Sequence, residues 1–293
     1  MKQARSKTDY VKLASFLYIR EFSKEFGHEV SGVLFNKYLT LLNHVLKQER
    51  NIDIKLAHCW YRWGDVVVRQ SLPYTHWTHS DLNFTQVSFI GKEPDYSEDD
   101  PVYGYISAFT EQFIHRYRDD REGVESAVDD IYEQAPLDFQ RNYKKLRESL
   151  KISRNNIPYD NVIDYLRGLF STAMDSFPEG FRNIRNQKDS FSAVFAYALD
   201  NNVPIDKLFD ISEDFWFFFC YHLRLKYHEN VSANIISNWK SSLDIETRRY
   251  DASIQNYAYE CCRDSQDPAI VKLLKARTER LDELDALMNG MDW

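Results

Sequence analysis

The sequence predicts a mostly α-helical protein, a multi-helix, bundle-like chain with at most a small β-hairpin in its N-terminal region. Glycine and proline are scarce, with 9 and 8 in 293 residues, which disfavours an all-β fold built on tight turns. Apolar residues recur three and four positions apart over long segments, which is the spacing of one helical face. Aromatic residues make up 15% of the chain, so a large core can be buried.

The N-terminal region begins with two predicted helices. The first covers residues 9–26 and ends at Gly27, because glycine readily adopts the left-handed conformation of a C-cap. The second covers residues 29–47, where the apolar side chains fall on one face. Residues 83–90, which read NFTQVSFI, are rich in β-branched and aromatic side chains and predict a strand.

A linker is predicted at residues 91–101, GKEPDYSEDDP, where turn-forming residues alternate with carboxylates. We therefore expect a helical N-terminal domain of residues 1–95 and an all-helical C-terminal domain of residues 96–293. The segment FWFFFCY, residues 215–221, predicts a deeply buried helix, and Asp267-Pro268 predicts an N-cap followed by a first-turn proline. The helices predicted after the linker are residues 102–118, 122–134, 137–151, 159–175, 189–200, 212–228, 231–263 and 268–289.

Charge and cysteine usage limit the classes of function. The formal net charge is −8, so the chain as a whole does not attract nucleic acid, although a local basic face could. Four cysteines without a CxxC motif favour reduced thiols in a cytoplasmic protein. The most hydrophobic segment, residues 215–221, is far shorter than the roughly 20 apolar residues that span a bilayer, so no membrane association is expected.

The most unusual segment is residues 56–79, LAHCWYRWGDVVVRQSLPYTHWTH, which contains three of the six tryptophans. His58, Cys59, His76 and His79 offer donors of the kind that zinc binds. Adjacent His and Cys are an unusual pair, however, because zinc motifs normally space their ligands by two to four residues. Ordinary half-buried histidines are the favoured interpretation, and no metal is expected.

Motifs for catalysis or cofactor binding are not found in the sequence. It has no GxxxxGK[ST], GxGxxG, GxSxG or HExxH pattern, so no cofactor and no catalytic residue is predicted. An RNase of the helical HEPN type remains a distant alternative, with Arg224 and His228 on one helical face as its nearest approach. Those two residues more simply cap the charged end of a buried helix.

A nucleic-acid-binding protein is the main alternative to a protein-binding one. Basic residues cluster on and after one predicted helix and again on a polar turn, where they could contact a phosphate backbone. A solvated helix face is the simpler interpretation in an acidic chain. The residues of this alternative are Arg141, Lys144, Lys145, Lys151, Arg182, Arg185 and Lys188.

Two stretches of the N-terminal region give a family resemblance. Residues 34–42, LFNKYLTLL, are similar to the KLQKLLYYA helix of the Panacea antitoxin domain, the family that includes the SocA-like proteolytic adaptor. Residues 60–68, WYRWGDVVV, resemble its W-[RK]-Y-G-P-V-V segment, with Gly64 as the turn glycine. Asp65 stands where the family has proline, Trp63 where it usually has tyrosine, and Tyr61 is an additional residue.

The resemblance implies an antitoxin or accessory subunit of a prokaryotic toxin–antitoxin or antiphage system, which acts by contact with a toxin or effector protein. Trp and Arg are frequent anchors of protein interfaces, so the aromatic segment is the candidate surface. The alternative is that its tryptophans fill the N-terminal core. The C-terminal helix could also dock on a partner. The candidate partner-binding residues are Trp60, Arg62, Trp63, Gly64, Arg69, Trp77 and Trp293.

Overall fold

The computed structural model describes residues 9–79, 85–117, 121–154 and 162–289, most of which are helical. The prediction of a mostly α protein is therefore confirmed. The chain divides into two compact units. The first consists of the residues up to Ala135 together with Arg224–Ile236, and the second of Pro136–Leu223 together with the residues from Ser237 onward.

The first unit combines four helices with two small antiparallel sheets within the described residues. One sheet has the strand order β1–β5–β4 and the other β3–β2–β6, so the β content is two small sheets rather than one hairpin. The helices are α1 (Tyr10–Phe26), α2 (Gly32–Arg50), α3 (Pro101–Arg116) and α4 (Arg121–Glu133). The strands are β1 (Val30–Ser31), β2 (His58–Tyr61), β3 (Gly64–Val67), β4 (Thr75–His79), β5 (Thr85–Phe89) and β6 (His228–Glu229).

Local sequence explains where the first helices begin and end. Asp9 caps α1 by accepting a hydrogen bond from the backbone N–H of Lys12 at 3.0 Å. Gly27 ends the helix with φ of 76°, as predicted. The described part of the predicted strand at residues 83–90 forms β5, which pairs with both β1 and β4.

Stacked aromatic rings form the core of the first unit. Tyr18 of α1 lies parallel to Tyr38 of α2 with 4.1 Å between ring centroids, and both rings contact Phe113 of α3 edge-on. The Tyr38 hydroxyl is 2.8 Å from the hydroxyl of Thr110, so its buried polar end has a partner. Helix α2 is consequently buried around most of its circumference.

The second unit is all helical within its described residues, and its core is again aromatic. Phe215 lies parallel to Phe191 at 4.2 Å, and Trp216 is stacked on Tyr143 at 5.4 Å. The FWFFFCY segment is therefore the buried helix that the sequence predicts. The helices are α5 (Asp138–Arg154), α6 (Val162–Asp175), α7 (Arg185–Asp200), α8 (Ile205–Lys226), α9 (Ala233–Cys261) and α10 (Pro268–Asn289).

Residues 91–100 of the predicted linker are irregular, and Asp100 then caps α3, which begins at Pro101, through the backbone N–H of Val102 at 2.9 Å. Residues 96–135 lie in the first unit, so the boundary expected after residue 95 does not coincide with the division between the units. The predicted cap at Asp267 is formed, because its carboxylate accepts from the N–H of Ala269 at 2.8 Å. Of the helices in the described ranges, none combines the length and apolarity that crossing a bilayer requires.

Candidate functional site

Helix α2 carries a stripe of polar side chains, although the helix is buried. The members of this polar stripe recur every three to four residues, so they share one helical face. Buried polar groups normally require hydrogen-bond partners, and here the hairpin formed by β2 and β3 supplies most of them. The polar stripe of α2 consists of Asn36, Lys37, Thr40, Asn43 and His44.

Side chains of the polar stripe form hydrogen bonds with the backbone of the β2–β3 hairpin. The side-chain oxygen of Asn36 accepts a hydrogen bond from the backbone N–H of Val67 at 3.1 Å. The Lys37 ammonium donates to the carbonyl oxygen of Asp65 at 3.0 Å and to that of Trp63. Lys37 is fully buried, and this burial lowers its pKa to about 7 against the opposing effect of the Asp65 charge.

The hairpin turn consists of Arg62 and Trp63, between the paired residues Tyr61 and Gly64. Gly64 has φ of +90°, a left-handed conformation that favours glycine at the end of such a loop. A Cβ atom at this position would lie 2.6 Å from Cγ2 of Ile131 in α4, so glycine is also required by the close approach of that helix. The turn is thus fixed from two sides.

Next to the turn, between α2 and the hairpin, lies a buried centre of two histidines and one carboxylate. Asp65 is 0% exposed, and its Oδ1 is 2.8 Å from Nδ1 of His58 while its Oδ2 is 2.9 Å from Nε2 of His44. Both ring nitrogens donate, because an ionised carboxylate can only accept. The two rings come from α2 and β2 and meet the carboxylate of β3, so the centre joins three elements.

The charges of this centre stabilise one another. Burial by itself would raise the pKa of Asp65, but the hydrogen bonds and charges of His44 and His58 outweigh it and lower the pKa to about 2. Burial lowers the pKa of His58, whereas the hydrogen bond to Asp65 and the charges of Asp65 and Glu229 raise it, with a net increase. Asp65 is therefore a carboxylate at neutral pH despite its complete burial.

The predicted partner-binding residues separate into exposed and buried ones. Trp63 is 53% exposed at the turn, and the Arg62 guanidinium lies over its ring at 5.7 Å. Trp60 is 7% exposed and packs edge-on against Tyr132, which corrects its expected place on a binding surface: it is a core residue of the hairpin.

The remaining members of that set lie away from the turn. Arg69 follows β3 and stacks on the half-buried Trp77 of β4, with 4.3 Å from its guanidinium to the ring centroid. Gly64 is buried and acts through the backbone, as described above. Trp293 lies outside the described residues.

The four donors that the sequence suggested for zinc do not come together. His58 and Cys59 are adjacent in β2, and adjacent strand residues point to opposite faces of a sheet. His76 and His79 lie in β4, which belongs to the other sheet. Among the described residues, the group of His, Cys, Asp and Glu side chains placed to hold a metal is instead His44, His58 and Asp65.

The residues of the RNase alternative are not arranged on one helical face. Helix α8 ends at Lys226, and His228 lies beyond it in β6. Its Nδ1 is 3.0 Å from the carbonyl oxygen of Arg224, so it caps the helix end, while the Arg224 guanidinium lies over the ring of Tyr61 at 5.2 Å. The expected i, i+4 pair on a continuous helix is therefore absent.

Several residues of the nucleic-acid alternative are paired with carboxylates. Lys144 is 2.5 Å from Glu148, Arg141 pairs with Asp138, Arg182 lies 3.9 Å from Glu179 and Lys188 lies 3.5 Å from Asp189. These pairs reduce the positive potential that a phosphate backbone would meet. Lys145 and Arg185 are exposed on α5 and α7, as is Lys151, and the alternative stays a prediction.

His44, Asp65 and Lys37 were not among the functional candidates predicted from the sequence. A signal existed for each: polar residues at three- and four-residue spacing inside an otherwise apolar helix, and an aspartate where the resembling family has proline. The contact between the stripe and the hairpin is long-range, however, and no local pattern reports it.

Comparisons of the chain with models of protein families, with curated proteins and with solved structures found no match.

Proposed function

We propose that this chain is a non-enzymatic, cytoplasmic protein that binds a partner protein through the turn of the β2–β3 hairpin. Its role would be that of an antitoxin-like or accessory subunit of a toxin–antitoxin or antiphage module. The observation that carries this proposal is the exposed side chain of Trp63 on a turn whose backbone is held by Lys37 of α2 and by the close approach of α4 at Gly64. A tryptophan presented in this way is the typical anchor of a protein interface.

Rigidity of the turn supports binding, because an ordered surface loses little conformational entropy when a partner docks. Lys37 holds the carbonyl groups of Trp63 and Asp65, and the Tyr132 hydroxyl lies 3.4 Å from the carbonyl oxygen of Arg62. The carbonyl groups of both turn residues and of Asp65 in β3 are therefore contacted by side chains of α2 or α4. Mobile surface loops rarely have such a backbone framework.

The chemistry around Trp63 indicates the kind of partner surface that would fit. Arg62 lies over the indole ring, and Arg224 lies over the neighbouring Tyr61. An apolar pocket with carboxylates at its rim would accept the indole and pair with these cations.

A nucleophilic role for the hairpin is disfavoured by the state of its thiol. Cys59 is buried, and burial together with the charge of Asp65 raises its pKa to about 12. A thiol of this kind stays protonated at neutral pH and is a poor nucleophile. The state of this thiol therefore favours a binding function of the hairpin over covalent catalysis.

The test is co-expression of the full-length chain with the product of the adjacent gene, followed by affinity measurement on the purified pair. We expect Trp63→Ala to weaken the complex by about 30- to 1000-fold, which corresponds to a hot-spot loss of about 2–4 kcal/mol. Tyr165→Ala is the matched control, because Tyr165 is a similarly exposed aromatic residue on α6 of the second unit.

Three results would refute the proposal. One is that the product of the adjacent gene does not bind the chain. Another is that Trp63→Ala binds as tightly as the unmodified chain, and the third is that both variants lose affinity equally. Thermal unfolding of each variant shows whether any loss comes from the surface or from the fold.

A further inference from the structure

The buried centre of His44, His58 and Asp65 has the donor composition of a transition-metal site. One atom from each residue, two imidazole nitrogens and a carboxylate oxygen, lies within 4.8 Å of the other two. In a tetrahedral site with bonds of about 2.0–2.2 Å, ligand atoms are separated by roughly 3.3 Å. The carboxylate lies between the two imidazoles, with Oδ1 2.8 Å from Nδ1 of His58 and Oδ2 2.9 Å from Nε2 of His44, so an ion bound by one oxygen and both nitrogens requires the three side chains to adjust by a few tenths of an ångström to about an ångström.

The surroundings of His58 resemble the outer shell of a metal-binding histidine. Its Nδ1 faces Asp65, whereas its Nε2 lies 3.6 Å from a carboxylate oxygen of Glu229, the residue opposite it in the β2–β6 pairing. A metal-binding imidazole normally donates its second N–H to such a carboxylate, which fixes the tautomer and leaves the first nitrogen for the metal. Lys47 pairs with Glu229 and holds it in place.

The amide of Asn43 lies against the other nitrogen of the His58 ring. Its Nδ2 is 3.5 Å from Nε2 of His58, while its buried Oδ1 has no hydrogen-bond partner. Rotation of the amide by 180° would place this oxygen against Nε2 instead. The oxygen would then accept a hydrogen bond from Nε2–H, so that Nδ1 of His58 could exchange the proton that it now donates to Asp65 for the ion.

The centre is accessible to an ion from solvent, and its donor atoms indicate which ion it would bind. The His44 side chain is 15% exposed, so an ion can reach the centre from solvent. Two imidazoles with one carboxylate suit Zn²⁺, Co²⁺ or Ni²⁺, whereas Mg²⁺ and Ca²⁺ prefer oxygen ligands alone. Asp65 and the nearby Glu229 together supply two negative charges for a dication.

We propose that His44, His58 and Asp65 bind one divalent transition-metal ion of the zinc type. The ion takes the place of the two protons that His44 and His58 now share with the carboxylate. It would tie α2 to both strands of the hairpin, with water completing its coordination.

The experiment uses the full-length protein, stripped with a chelator, dialysed and titrated with Zn²⁺ by calorimetry and with Co²⁺ by visible absorption. We expect one ion per chain and a Co²⁺ spectrum with the intense bands of low coordination number. An excess of Zn²⁺ of about 100 times the Kd should raise the Tm by roughly 5–10 °C.

Variants identify the ligands. His44→Leu should weaken binding by more than about 100-fold, and Glu229→Gln, which changes the outer carboxylate alone, by about 10- to 100-fold. His79→Leu is the matched control, because His79 is exposed in the other sheet, and it should bind as the unmodified chain does. Glu229→Gln keeps the test decisive if His44→Leu fails to fold.

Absence of stoichiometric binding in the unmodified protein would overturn the proposal. So would unchanged affinity in either His44→Leu or Glu229→Gln, or a loss of affinity in His79→Leu, since each would place the ligands elsewhere.

Discussion

Substitution of Gly64 by alanine tests how the hairpin and α4 are packed. Two separate costs are expected. The left-handed backbone at φ of +90° costs an alanine about 1–2 kcal/mol, and displacement of Ile131, whose Cγ2 would lie 2.6 Å from the new Cβ, costs about 1–3 kcal/mol more. We therefore expect Gly64→Ala to reduce the free energy of unfolding by about 2–5 kcal/mol.

A matched glycine separates the two costs. Gly27 has φ of +76°, but no atom lies within 4 Å of a Cβ built on it, so Gly27→Ala should cost the conformational part alone, about 1–2 kcal/mol. The measurement is urea unfolding, combined with hydrogen exchange at the amides of residues 58–67, which reports the stability of the hairpin itself.

Substitutions of Ile131 complete the test. In an Ile131→Ala background, which removes Cγ2, Gly64→Ala should cost no more than Gly27→Ala does. In an Ile131→Val background, which keeps a carbon at that position, the full cost should remain. Equal costs for Gly64→Ala and Gly27→Ala in the unmodified chain would refute the close approach of α4 to the turn.

Three further predictions concern buried polar groups. Lys37→Met should reduce the free energy of unfolding of the first unit by about 2–4 kcal/mol in urea unfolding, because the carbonyl groups of Trp63 and Asp65 lose their donor. This loss exceeds the gain from no longer burying an ammonium group. An unchanged free energy of unfolding would show that these bonds do not hold the turn. Burial lowers the pKa of His222 to about 4, so the unfolded chain binds its proton first and stability should fall by up to about 3 kcal/mol as the pH decreases from about 7 to 4. His222→Phe should remove that part of the pH dependence of urea unfolding, whereas His76→Phe, at an exposed position, should leave it unchanged. In the native protein, iodoacetamide should label the partly exposed Cys261 well before Cys59, as read by mass spectrometry, and faster labelling of Cys59 would contradict its burial.

Helix periodicity and capping residues were sufficient to predict most of the α-helices. These are local properties, since the side chains that share a face, such as those of α8, follow directly from 3.6 residues per turn. The ends at Gly27 and Asp267 were equally readable, because a cap satisfies backbone groups within a few residues of itself.

The short strands were harder to predict because their partners are distant in sequence. β2 pairs with β3 through a two-residue turn, yet it also pairs with β6, some 170 residues later in the chain, which no local pattern indicates. The same distance concealed the contact between His58 and Glu229.

The sequence by itself determined most of the helices and their caps, since each depends on neighbouring residues. The tertiary structure alone decided which tryptophan is exposed and which is core, and it brought His44, His58 and Asp65 together. Burial and side-chain contacts depend on elements that meet only when the chain has folded. For this reason the polar residues of α2, which look unremarkable in the sequence, turn out to position both the hairpin turn and the proposed metal centre.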